Sequence, residues 1–202
     1  LLNIKTIAKR RNNMQWFKLP PKVYFEENSV MYLTEMDNVE RVMIVCDPGM
    51  VNIGYTDIVE QVLRRRENQP QIKVFNEVEP NPSTHTVYKG LEMFINFQPD
   101  TIIALGGGSA MDAAKAIWMF FEHPETSFFG AKQKFLDISK RTYKITKPKN
   151  AKFICIPTTS GTGSEVTPFA VITDSETHVK YPLADYALTP DIAIVDPQFV
   201  LS

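Results

Sequence analysis

The chain has 202 residues, 44% of them hydrophobic and 22% charged, with a net charge of -1. Such a balance suits a globular domain with a real core and excludes a global field for nucleic acid or anionic membrane. No apolar run is long enough to span a bilayer, and no signal peptide is visible, so a cytoplasmic setting is expected.

Leu1 to Lys18 is a polar, basic arm without a clear period. Its Lys9-Arg10-Arg11 cluster reads as a solvated face, whereas Trp16 and Phe17 are large enough to need a docking surface. Leu19-Pro20-Pro21-Lys22 breaks any helix, and Val23 to Phe25 opens the ordered domain, 19–202, as an edge strand. Asn28 or Ser29 is expected to cap a short helix to about Met36. Arg41 to Cys46 reads as a buried strand, and Asp47-Pro48-Gly49 as a turn. A helix then runs from about Val51 or Tyr55 to Arg66, with Ile58, Val59, Val62 and Leu63 on one face. Arg64, Arg65 and Arg66 fall in its last turn, where cations suit the helix dipole.

Ile72 to Phe75 is the next strand. Ser83 or Thr84, after Pro80-Asn81-Pro82, caps a helix through Phe97. Thr126 to Lys149 has a mixed pattern suggesting short helical pieces. Ala151 to Ile156 and Asp191 to Val195 read as further strands, and Val166 to Thr173 with Val179 to Tyr181 as a hairpin. Alternating strands and helices predict an α/β, Rossmann-like parallel sheet with right-handed crossovers. Cys46 and Cys155 end apolar runs and are expected to be buried, reduced thiols.

The most informative stretch is Thr101 to Ile117. Ile102 to Leu105 suits a central strand, Gly106-Gly107-Gly108 a tight turn, and Ala110 to Phe120 a helix. Ser109 and Asp112 have capping-box spacing. Free amides and the positive helix end would face the turn, which makes it a cradle for phosphate. Met111 stands where the dinucleotide fingerprint has its third glycine, and no Gly-Lys-Ser/Thr follows, so neither standard loop is matched. A turn without a ligand is the alternative reading.

Ligands on parallel sheets sit beyond the carboxyl ends of the strands. That edge should collect Asp47, the Asn81 loop, Gly106 to Ser109 and the hydroxyl-rich loop Thr158 to Ser164. Asp47 is suited either to a ribose diol, favouring NAD over NADP, or to its own turn. The Thr158 to Ser164 loop offers small donors to a pyrophosphate or serves as a plain surface loop. Asp112 and Lys115, one turn apart, are spaced for an ion pair. His85, His123 and His178 lie far apart with no metal-ligand spacing, and each reads as a loop or surface residue. Neither catalytic nor metal-binding residues emerge from the sequence.

Leu105 to Lys115 and Pro157 to Thr167 resemble the iron-dependent, group III alcohol dehydrogenases. The order of Asp47, Pro80-Asn81-Pro82, glycine turn, threonine loop and Asp191 to Pro197 extends the resemblance over Leu19 to Ser202. The arm from Ala8 to Phe25 resembles the alcohol dehydrogenase half of the bifunctional aldehyde-alcohol dehydrogenases. The resemblance implies a domain that holds NAD(H). Asp47 would contact the adenosine ribose, and Asn81, Gly107, Gly108 and Ser109 would hold the pyrophosphate. Thr158, Thr159 and Thr162 would flank the phosphates and nicotinamide ribose, with Lys180 and Leu188 lining the site. It implies Fe(II) bound by an aspartate and three histidines of a helical domain expected just after Ser202. The implied partners are a small aldehyde or alcohol, the remainder of the polypeptide, and further copies in an oligomer or filament. A glycerol-type dehydrogenase or an assembly module are the rival readings.

Overall fold

The computed structural model describes residues 18–125 and 150–201. The arm before Lys18, with Trp16 and Phe17, and the short helices expected over 126–149 lie outside the described residues.

The main sheet is built from β1 (Lys22–Tyr24), β2 (Arg41–Val45), β3 (Gln71–Phe75), β4 (Thr101–Gly106), β5 (Lys152–Pro157) and β8 (Ile192–Ile194). Its order is β1-β8-β5-β4-β2-β3, and every neighbouring pair is parallel. The helices are α1 (Pro48–Asn52), α2 (Tyr55–Leu63), α3 (Thr84–Phe97) and α4 (Gly108–Glu122). β6 (Phe169–Thr173) and β7 (Lys180–Ala184) form the expected antiparallel hairpin, apart from the main sheet. β1 is the edge strand, paired with β8.

Strand periodicity divides the core in two. Met43, Val45, Ile102, Ala104, Phe153 and Cys155 face one side, with α3, α4 and the inward residues of the hairpin. Val42, Ile44, Ile103, Leu105, Ile154 and Ile156 face the other, with α2 and the turn over Ser29–Thr34. A parallel sheet needs cover on both faces, which explains why β4 is buried throughout rather than alternating. α4 is buried nearly all round because the sheet, α3 and the hairpin each take one of its sides. Trp118 on α4 stacks on Phe153 of β5, with centroids 4.6 Å apart and planes at 9°.

Several local expectations give way to tertiary packing. The Ser29–Thr34 segment is a 3-10 helix, and Asn28 enters it in the left-handed region without a side-chain cap. Of the two starts expected for the next helix, Tyr55 is the one adopted, after a separate short α1; the helix ends at Leu63 rather than Arg66. Arg66 is not a solvated dipole partner: its guanidinium is buried and donates to the carbonyls of Leu33 and Met36. His123 is not a surface histidine either. It is buried at the end of α4, with Nδ1 3.4 Å from a Glu125 carboxylate oxygen.

Cys46 and Cys155 are free and fully buried, on opposite faces of the sheet. Burial pushes both thiols up to about 12, so almost no thiolate exists at neutral pH. A disulfide exchange reagent at neutral pH should therefore leave the folded chain unlabelled and modify both thiols in denaturant. Fast labelling of the native protein would contradict the burial of these two thiols.

Candidate functional site

Chain direction reverses at β2 and β4: from β2 the chain moves outward to β3, then returns to β4 on the other side and continues to β5. A crevice opens at such a reversal, beyond the carboxyl ends of the strands. A cavity of about 390 Å³ lies there. Its walls come from the turn after β2 (Asp47, Pro48, Met50), the loop after β3 (Val78, Glu79, Pro80), the start of α4 (Gly107 to Ala110) and the end of β5 (Thr158, Thr159).

The glycine turn is shaped by close approach. Gly106 has φ +146°, and a Cβ there would lie 2.8 Å from the Ala110 Cβ. A Cβ on Gly107 would lie 3.3 Å from Thr159, and one on Gly108 2.8 Å from the Thr162 Cγ2. The threonine loop thus packs directly on the first residues of α4. Thr158 N donates to the Gly106 carbonyl at 3.0 Å, joining loop and turn at their base.

Ser109 does not cap α4. Gly107 is the N-cap, with no side-chain cap bond, which leaves the first amides of the helix uncapped by side chains. Ser109 Oγ instead accepts from the Asn81 amide at 3.3 Å. Asn81 has φ 58°, and its side-chain oxygen accepts from Lys180 Nζ at 2.6 Å. Its carbonyl accepts from Thr173 Oγ1 at 3.3 Å, so both hairpin strands touch the Asn81 loop. Asp47 caps α1, with Oδ1 accepting from Gly49 N at 2.8 Å, and it also lines the cavity. The turn role open to it in the sequence is thus met, by one of its two carboxylate oxygens.

The capping box and the Asp112–Lys115 ion pair do not form. Both side chains turn away from their own helix to the loop and hairpin. Lys115 is fully buried, and its ammonium donates to the carbonyls of Ser164, Thr167 and Phe169 at 2.6, 2.8 and 2.8 Å. Three N–H groups meet three carbonyls, with the Ser164 and Thr167 hydroxyls at 3.1 and 3.5 Å as further acceptors. Ser164 Oγ donates to Asp112 Oδ1 at 2.9 Å, and Val171 N donates to Oδ2 at 3.0 Å. Burial pushes Lys115 below the usual lysine range and Asp112 above the usual carboxylate range. The network ties the threonine loop to α4.

Asp47, Gly107, Gly108, Ser109, Thr158 and Thr159 therefore share one cavity. Thr162 lies against Gly108, and Asn81 and Lys180 join through Ser109. Leu188 is 1% exposed, packs in the core with α4 and is not among the residues lining the cavity. Glu79, Met50 and Val78 were missed. A carboxylate beside Pro80-Asn81 on the ligand edge was the available signal for Glu79. Among the described residues, no group of three or more His, Cys, Asp or Glu side chains converges as a metal site.

The geometry has counterparts in known proteins. Over its full length the chain is 59% identical to aldehyde-alcohol dehydrogenase 2 of Entamoeba histolytica, and it spans 23% of that protein. The crystal structure of 1,3-propanediol oxidoreductase superposes with a TM-score of 0.80 at 28% identity, covering 94% of this chain and 47% of that one. Sulfoacetaldehyde reductase from Bifidobacterium kashiwanohense, solved in complex with NAD+, superposes at 0.74 with 27% identity, covering 94% and 48%. The model of the iron-containing alcohol dehydrogenase family matches residues 20–197. The chain belongs to the iron-containing alcohol dehydrogenases.

Proposed function

We propose that this chain is the NAD(H)-binding part of an alcohol dehydrogenase that interconverts acetaldehyde and ethanol, within a bifunctional aldehyde-alcohol dehydrogenase. The observation that carries the reading is the cavity at the strand-order reversal, walled by uncapped helix amides on one side and threonine hydroxyls on the other. A diphosphate suits those walls: the α4 amides and helix dipole meet its charge.

In this reading the backbone of Gly107, Gly108 and Ser109 binds the pyrophosphate, and Asn81 closes over it from the loop after β3. Asp47 accepts from the adenosine ribose. Thr158, Thr159 and Thr162 position the phosphates and the nicotinamide ribose and exclude water from that side. Lys180 donates to the Asn81 side chain and so helps to hold the loop after β3. Bound NAD(H) supplies hydride transfer. The described residues do not fit iron, so no step here runs through the metal; the Asp and His ligands implied by the family would come from elsewhere in the protein.

Isothermal titration of the chain with NADH tests the reading. Saturable binding is expected, without NADH oxidation when acetaldehyde is added, with or without Fe(II). A folded chain that releases no binding heat at millimolar NADH would end the proposal, and turnover would show that a reaction centre lies within these residues.

A further inference from the structure

The loop after β3 is held from the hairpin. Asn81 has φ 58° although it precedes Pro82, where extended backbone is the rule. Such a backbone persists only where its surroundings fix it. Thr173, the last residue of β6, supplies that hold. Its N–H donates to the Pro82 carbonyl at 2.8 Å, and its Oγ1 donates to the Asn81 carbonyl at 3.3 Å. The turn after β6 is pinned beside it at the start of α3. There Ser175 Oγ accepts from His85 N at 3.1 Å, and Ser175 N donates to Thr84 Oγ1 at 3.1 Å.

The held peptide acts on the cavity wall. Asn81 N donates to Ser109 Oγ at 3.3 Å. A hydroxyl carries one proton and two acceptor lone pairs. With Oγ accepting from Asn81, the Ser109 proton has no acceptor among the described residues. Ser109 lines the cavity with Gly107 and Gly108, beside the uncapped amides of α4. Its O–H is thus left to donate to an anion lying on those amides.

We infer that Thr173 is a positioning residue for the cofactor diphosphate. It fixes the Asn81 peptide, whose N–H occupies a lone pair of Ser109 and so leaves the hydroxyl proton for a phosphate oxygen. The inference rests on the cofactor reading above. Thr173 is not among the residues lining the cavity, so it works through Asn81 and Ser109 rather than by contact. A general brace would weaken binding equally with or without the Ser109 hydroxyl. A relay that ends on that hydroxyl needs it.

The test is a nicotinamide fluorescence titration of the chain with NADH. The natural chain is compared with Thr173→Val, Thr173→Ser, Ser109→Ala and the double variant Thr173→Val with Ser109→Ala. Valine keeps the side-chain shape, suits a strand and leaves the bond from N–H to the Pro82 carbonyl in place, so only the hydroxyl is lost. NADH should bind Thr173→Val about fivefold more weakly, the effect of one neutral hydrogen bond. Thr173→Ser should restore most of the affinity. On top of Ser109→Ala, the valine should change affinity by less than about twofold, because coupled sites are not additive. An equal loss with and without the Ser109 hydroxyl overturns the relay, as does failure of serine to rescue. A natural chain that binds NADH and a valine variant that binds it equally well overturn the role of Thr173 alone. If the natural chain does not bind NADH, the cofactor reading falls and this inference with it.

Discussion

Lys115→Met should lower the stability of the chain by about 3–5 kcal/mol, the range seen when one partner of a buried charged network is removed. Methionine fills much of the same volume, so the loss is electrostatic rather than a cavity. Three carbonyls, of Ser164, Thr167 and Phe169, lose their donor, and the buried Asp112 loses the nearby cation. Each orphaned polar group costs about 1–3 kcal/mol, which is enough to exceed the effect of any surface charge deletion. Urea unfolding measures it, provided that the transition stays two-state. The double variant Lys115→Met with Asp112→Asn should recover part of the loss, because the buried carboxylate without a nearby cation is gone as well. A single-variant loss below about 1 kcal/mol would mean that the hairpin holds the threonine loop without the ammonium, and strict additivity would mean that the two charges are uncoupled.

That network also marks where the sequence stops being legible. Strand and helix placement follow from local signals: β-branched runs for β2, β4 and β5, Ser83 as a true cap of α3, and a glycine turn between β4 and α4. The ligand edge follows too, since alternation of strand and helix dictates a parallel sheet and its carboxyl ends. What local pattern does not encode is which faces meet after folding. Asp112 and Lys115 have the spacing of a surface pair, and only the hairpin packed on α4 turns that surface into an interior. Arg66 escapes local reading for the same reason. It is a terminal-turn arginine whose neighbours are carbonyls far away in sequence. Ser109 is a subtler case: residue type favours a cap, but Gly107 takes the position and frees the hydroxyl for the Asn81 amide. The order of the short outer strands, β8 inside β1, likewise rests on long-range pairing with no local signature.

Gly108→Val should weaken NADH binding by about a hundredfold while leaving most of the stability intact. The first Cβ already falls 2.8 Å from the Thr162 Cγ2 and 3.1 Å from its Oγ1, so the threonine must yield. It can, because Thr162 is exposed and its main tie is the 3.3 Å bond from Ser164 N to its hydroxyl. Gly108 is the first residue of α4 with φ outside the left-handed region, so valine meets no backbone penalty there. The cost falls on the cradle. A branched side chain at the helix start screens the amides and pushes the hydroxyl clasp outward. Loss of one or two charge-assisted hydrogen bonds is worth about 1.5–3 kcal/mol each, and about 2.8 kcal/mol corresponds to the hundredfold loss. Gly106→Ala makes the contrasting case. Its φ of +146° and the 2.8 Å contact with Ala110 put the strain in the buried backbone, so stability should fall by about 1–3 kcal/mol from conformation alone. Paired fluorescence titration and urea unfolding separate the two. Gly108→Val binding NADH like the natural chain would place the diphosphate away from the start of α4. Because Thr159 and Thr162 rest on Gly107 and Gly108 themselves, the threonine clasp over the phosphates would then have to be abandoned as well.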